Sequence, residues 1–498
     1  MKTEHHDVII VGAGISGIGS ACHLQRESAQ KDFVILEGRD KIGGTWDLFK
    51  YPGIRSDSDL YTFGYDFKPW HGQPIATAEE ILRYLNEVVD ENDIRSKIRF
   101  NHWVNTASWS TEHACWQVDS TDGDGETVRV TGNFLFMCQG YYDYAGGYKP
   151  DFPDEEIFKG TVIHPQQWPE ELDYTGKRMV VIGSGATAAT IIPAVAEKAA
   201  HVTQLQRSPS YYMSVDNTAE EPMIEELREL DVPLDWIHGI KRRQALAFGA
   251  DVTARSMAEP ADTKAELIAA VAEQLPEDFD VGTHFTPSYD PWKERLCLLP
   301  DGDMFAAIKS GKASVVTDHI ERFVENGILL KSGEVLEADI IVSATGIELC
   351  GLGNIAFDVD GTPVSLPDQW TYRGVMVSNV PNLAWIFGYI RTSWTMRSDM
   401  IGHYICRLLN HMDANKVRQV TPRLRAEDDG MNGKAYFDPE DFAPGYIRRG
   451  VGCLPRQSDA GPWVNSQDYY AEKDILPMAE LDDDVLQYSN PGKTTKVA

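Results

Sequence analysis

Two glycine-rich segments have the spacing needed to hold a pyrophosphate. The first, Gly12-Ala-Gly14-Ile15-Ser16-Gly17, follows the apolar run Asp7–Val11. Gly12 permits a tight turn, Gly14 lets the backbone approach the phosphates, and Gly17 lets the next helix sit close on the strand. The helix N-terminus at Ile15 and Ser16 then turns free N–H groups and a positive dipole end toward the anion. Glu37 follows at the end of the next apolar run, where a carboxylate accepts from ribose hydroxyls. The second segment, Gly183-Ser184-Gly185-Ala186-Thr187-Ala188, has the GxGxxA form, and its next strand ends in Gln206-Arg207-Ser208 instead of an acid. An arginine there suits a 2′-phosphate. The first loop therefore reads as an FAD site and the second as an NADP site, which implies a flavin reduced by NADPH.

Each loop needs a strand before it and a helix after it, and the sequence supplies both twice. Residues 7–11, a helical stretch from Ile15 to about Arg26, and Lys31–Glu37 make one βαβ unit. KRMVVIGSG, Ala188–Ala200 and HVTQLQR make another. HWVNTASW and FLFMCQG between them read as strands. The charged helical stretch at about 210–290 reads as an insertion in the second unit. The strand pattern resumes at 313 and ends at Asp339–Gly346, returning the chain to the first domain. The expected fold is α/β, with two Rossmann-like domains. The first part of the FAD domain spans 1–147. The NADP domain spans 148–340, and the second part of the FAD domain, with a C-terminal wrap, spans 341–498.

At 498 residues with 42% hydrophobic content, the chain is too long for one core. Its 76 acidic residues outnumber 46 basic ones, a net charge of −30 that repels nucleic acid and anionic lipid. Any site for an anionic cofactor must therefore build its own positive field. The seven cysteines form no CxxC pair, and no HExxH or GxSxG occurs. Neither a metal nor a serine hydrolase is expected. The N-terminus lacks a signal pattern and no long apolar run follows, so the cytoplasm is the expected location, with peripheral membrane contact compatible with it.

Two further runs carry a family resemblance. Gly43-Gly44-Thr45-Trp46, Tyr51-Pro52-Gly53 and Asp57 form one, and Phe158-x-Gly160-x-x-x-His164-x-x-x-Trp168-Pro169 forms the other. Together they resemble the fingerprints of the type I Baeyer–Villiger and flavin-containing monooxygenases. GGTWDLFKYPGIRSDSD and Tyr289–Pro300 are similar to the ethionamide-activating and long-chain-alkane branch. The resemblance implies that Gly44, Thr45, Trp46 and Asp47 lie along the flavin and that Val104 contacts its adenine part. It implies Arg55 and Ser56 beside the nicotinamide, Arg295 over the flavin with Asp57 as its acid partner, and Trp463 on a mobile loop closing over NADP. His164 and Trp168 are implied to couple domain motion, not to transfer protons. Glu294 departs from the basic or neutral residue that many relatives carry there, which leaves Arg207 and Ser208 to hold the 2′-phosphate.

The resemblance implies an activity as well: oxygen insertion into ketones, aliphatic or long-chain, through an anionic C4a-peroxyflavin. A fixed guanidinium at Arg295 suits that chemistry, since it stays charged and holds several donors. The alternative is oxidation of S or N heteroatoms, as in a thioether. The small-molecule substrate and O2 are the expected partners, with no nucleic acid and no metal.

Overall fold

A computed structural model describes residues 4–219, 221–438, 440–442 and 444–491. The first apolar run becomes the strand Glu4–Val11, flanked in parallel by Phe33–Leu36 and Thr127–Met137. Val8, Ile9, Ile10 and the whole of Phe33–Leu36 are buried, as expected of parallel strands covered on both faces. One face carries the helix Ile15–Glu27, against which the long helix Trp394–Ala414 packs. Beyond Thr127–Met137 the sheet turns antiparallel through Cys115–Thr121 and Trp103–Ser110. The late strand Leu383–Trp385 pairs with the end of Thr127–Met137. A strand from the C-terminal third of the chain thus joins the sheet that the N-terminus began.

The second domain is a five-stranded parallel sheet in the order Ala313–Thr317, His201–Gln206, Arg178–Ile182, Ile340–Ser343 and Thr161–Ile163. The helix Ala186–Ala196 follows its glycine loop. The insertion holds helices Pro222–Glu229, Leu234–Ala258, Pro260–Ala272 and Val281–His284. It is rimmed by a strand pair that helical periodicity did not show: Tyr211–Val215 lies parallel to Leu296–Pro300. Ile340–Ser343 belongs wholly to this sheet, pairing with Arg178–Ile182 on one side and Thr161–Ile163 on the other.

Two crossings join the domains, and they run side by side. Tyr148 N–H donates to Gly346 O at 3.1 Å, and Asp143 N–H to Glu348 O at 3.0 Å. His164 spans them. Its Nδ1 accepts from Gln166 N–H at 3.2 Å, so Nε2 carries the proton and donates to Gly346 O at 3.1 Å. Gly147 lies flat on the ring: a Cβ there would come within 2.0 Å of Cε1. Burial lowers the pKa of His164 and favours this neutral tautomer. Among the described residues, no helix is long and apolar enough to cross a membrane.

Candidate active site

Both glycine loops open onto one cleft of about 1160 Å³ between the domains. On the FAD side Gly12 takes φ +100°, and a Cβ there would lie 2.7 Å from Cys138 O. A Cβ on Gly17 would strike Gly12 O at 1.9 Å, which is why the helix can sit this close only with glycine. Gly14 caps that helix without any side-chain bond, so its first N–H groups stay free for an anion. Glu37 is buried and accepts from Ala13 N–H at 2.6 Å and Arg39 N–H at 2.9 Å. Burial raises its pKa, while those two donors hold the carboxylate in place. Trp394 Nε1–H donates to Ser16 Oγ at 2.8 Å, tying the loop to the long C-terminal helix. Gly44 faces Gly14 across the cleft floor. A loop of bare backbone, a helix end with open donors and a fixed acid fit the pyrophosphate and ribose of FAD.

On the other side Gly183 takes φ +137°, with Ala344 O filling the space a Cβ would need. Ser184 Oγ–H donates to Ser208 O at 3.0 Å, which holds the loop against the end of the strand that carries Arg207. Lys331 and His319 line the same wall. They add cationic and donor groups that no motif marked. Glu294 is half-buried, which raises its pKa, and it faces Arg448 at 3.8 Å. The acid that broke the family pattern is therefore offset by a cation from the C-terminal wrap.

Arg295 stands between the two loops. Its Nη1 lies 3.4 Å from Asp57 Oδ2, and its Nη2 lies 3.5 Å from Tyr446 Oη. Burial opposes the charge of Arg295, but Tyr446, Asp57, Tyr141 and Tyr142 outweigh it and raise its pKa further, so the guanidinium is charged at every working pH. Tyr141 and Tyr142 share a hydrogen bond at 2.9 Å, and Tyr141 stacks on Trp394. None of these tyrosines was predicted. Tyr446 lies on a six-residue helix, Gly445–Gly450, that returns from the C-terminal wrap to the cleft mouth.

Every expected cofactor-side residue lines the cleft except Gly17, Asp47, Ser56, Ala188 and Trp463. Gly17 and Ala188 lie in the first turns of their helices and are buried in packing. Asp47 is buried behind the flavin-side loop, paired with Arg39 at 2.6 Å and Lys50 at 3.1 Å. Ser56 turns inward and exchanges hydrogen bonds with Ala76. Arg55 does line the cleft, but Asp303 already pairs with it. Trp463 corrects the expectation of a mobile lid. It is fully buried against Tyr372, with its loop fixed by Arg373 N–H to Pro462 O at 2.8 Å and Ser458 N–H to Trp463 O at 2.7 Å. A large apolar ring gains more from this core than from an open cleft mouth. Gly53 supplies a contact between domains: a Cβ there would meet Ala194 at 2.6 Å on the helix after the second glycine loop.

Residues 5–223 match the model of the flavin-binding monooxygenase-like family. Over 489 residues the chain is 45% identical to the FAD-containing monooxygenase EthA of Mycolicibacterium smegmatis, covering 98% of each chain. The chain belongs to the FAD-containing monooxygenases. A second member of this class, the probable FAD-binding monooxygenase AlmA of Acinetobacter baylyi, is 44% identical over 498 residues, covering 99% of this chain and 98% of the other. The fold is that of solved Baeyer–Villiger monooxygenases. An open crystal structure of cyclohexanone monooxygenase superposes with TM-score 0.71 at 22% identity, covering 85% of this chain and 91% of that one. An oxidised steroid monooxygenase bound to NADP gives TM-score 0.70 at 22% identity, with 85% and 88% covered. Membership of the FAD-containing monooxygenases agrees with the glycine cradle and with Glu37, the features that the sequence assigned to FAD.

Proposed function

We propose that this monooxygenase carries out Baeyer–Villiger oxidation. It inserts one oxygen of O2 beside the carbonyl of an aliphatic or long-chain ketone and yields an ester, water and NADP⁺ from ketone, O2, NADPH and a proton. Bound FAD, reduced by NADPH, supplies the activation of O2 and the oxygen that is transferred. The observation that carries the reading is the charged guanidinium of Arg295, held in the cleft between both nucleotide loops by Asp57.

Attack on a carbonyl carbon puts negative charge on the carbonyl oxygen. A preorganised, permanently charged donor stabilises that charge in proportion to how well water is excluded. Asp57 orients Arg295, and the hydroxyl of Tyr446, which accepts from the guanidinium, keeps its own proton free to point into the cleft. The aromatic walls Trp46, Phe63 and Trp394 exclude water and suit an apolar chain. Arg207 and Ser208, with Lys331 beside them, hold the 2′-phosphate and so select NADPH. His164 keeps the domains in register and moves no proton.

The experiment supplies NADPH, O2 and a ketone paired with a thioether of equal size to the FAD-loaded enzyme and identifies the products by mass. Ester from the ketone is expected, and sulfoxide alone would assign the enzyme to heteroatom oxidation. Arg295→Ala keeps its FAD and forms ester about 10²–10³-fold more slowly. An undiminished ester rate in that variant would remove Arg295 from its role.

A further inference from the structure

Behind the FAD loop, away from the cleft, two histidines meet on one carboxylate. His23 Nδ1 lies 3.0 Å from Glu27 Oε1, and His403 Nδ1 lies 2.7 Å from the same oxygen. The other nitrogen of each ring faces a carboxylate of its own. His23 Nε2 is 3.2 Å from Asp399 Oδ1, and His403 Nε2 is 3.4 Å from Asp66 Oδ2. Asp399 is fixed in turn by Asp66 N–H at 3.0 Å. Gly402 makes the space: a Cβ there would lie 2.6 Å from the His23 ring. Arg26, the cation on the same helix, is turned onto the Phe67 ring at 4.0 Å.

This is the arrangement of a metal site with its outer shell in place. A ligating histidine almost always donates its other ring N–H to a carboxylate, a backbone carbonyl or water, which fixes the orientation of the ring. Here two rings do so at once. One nitrogen of each ring and an oxygen of Glu27 converge, the three ligand atoms all within 4.8 Å of one another. Without a metal, each Nδ1 must carry a proton toward Glu27 Oε1, at 3.0 Å for His23 and 2.7 Å for His403. Two extra protons would leave imidazolium rings with centroids 4.4 Å apart, and like charges that close repel. One divalent cation replaces both protons at the same total charge and removes that contact.

We propose that His23, His403 and Glu27 bind a divalent d-block cation of the zinc type. Asp399 and Asp66 orient the two imidazoles, and water completes the coordination at the partly exposed edge formed by Glu27 and His403. Nitrogen and carboxylate donors in this number are the ligand set of an open tetrahedral site. Binding displaces the Nδ1 protons, so one cation enters and two protons leave. The site cross-links the helix Ile15–Glu27, which begins at the FAD loop, to Trp394–Ala414, whose first residue bonds Ser16. Its role is therefore to staple the flavin domain, independent of the ketone chemistry.

The test uses the full-length, FAD-loaded enzyme, stripped with a chelator and dialysed against Zn²⁺. Wild type is expected to take up about one zinc per chain and to melt at a higher temperature with zinc than without. His403→Ala and Glu27→Ala, both at partly exposed positions, should lose the zinc and the thermal shift while keeping FAD, which reports that they fold. Asp66→Asn should weaken zinc binding by about 10–100-fold through the imidazole it orients. Absence of uptake by wild type would overturn the proposal. So would equal uptake in His403→Ala and Glu27→Ala, which would place the metal elsewhere.

Discussion

The two glycine loops share a spacing but differ in how closely the chain wraps them. Around the first, neighbours press close on every side but the cleft. Gly12 abuts Cys138 O, Gly17 abuts Gly12 O, Gly14 faces Gly44, and Glu37 is locked by two backbone donors. Around the second, Gly185 has nothing within 4 Å of where a Cβ would stand, and the position matching Gly17 is an alanine, Ala188, buried without strain. A close wrap suits a cofactor that stays bound, and an open one suits a cofactor that exchanges. The difference between the two copies of the motif lies in the neighbours that surround them.

The sharpest way to break this contrast is Gly17→Ala. Its methyl would fall on Gly12 O, so the variant should purify without flavin absorbance or fail to fold. Normal flavin content would show that the tight wrap is not what retains FAD. Next in size is Trp463→Ala. If this residue belongs to the flavin domain's core, as its burial indicates, its loss destabilises the protein by about 3–5 kcal/mol, while KM for NADPH is unmoved. A raised KM with unchanged stability would return Trp463 to the cleft. Arg207→Ala should raise KM for NADPH about 10–100-fold, the ~1.5–3 kcal/mol of a charged hydrogen bond, with little effect on NADH. Equal effects on both cofactors would give the 2′-phosphate to Lys331 instead. The smallest effect on the fold belongs to Gly185→Ala: its methyl meets no protein atom within 4 Å, so the melting temperature should be unmoved, while KM for NADPH rises because the methyl enters the space where the backbone approaches the pyrophosphate.

Local signals made most of the scaffold legible. Glycine spacing, apolar runs and the strand-end residues Glu37 and Arg207 located both loops, because each feature sits within a few dozen residues of its partner. Arg295 and Asp57 were identified by family motifs and proved to be neighbours across 238 positions of sequence. Tyr446 could not be found that way. It reaches Arg295 from a short helix with no motif, through a wrap whose path is set by tertiary packing. Trp463 misled for the converse reason. Its proline-flanked tryptophan looked like a lid, whereas the backbone bonds that bury it leave no trace in composition. The strand pair rimming the insertion was hidden because its partners lie on either side of some eighty residues of mostly helical sequence.

The position of His164 has one mechanical consequence. Because one neutral ring rests on Gly147 and bonds Gly346, the outgoing and returning strings of the polypeptide are pinned together at this point. Removing the ring would leave only the backbone bonds of Tyr148 to Gly346 and Asp143 to Glu348 to hold them side by side.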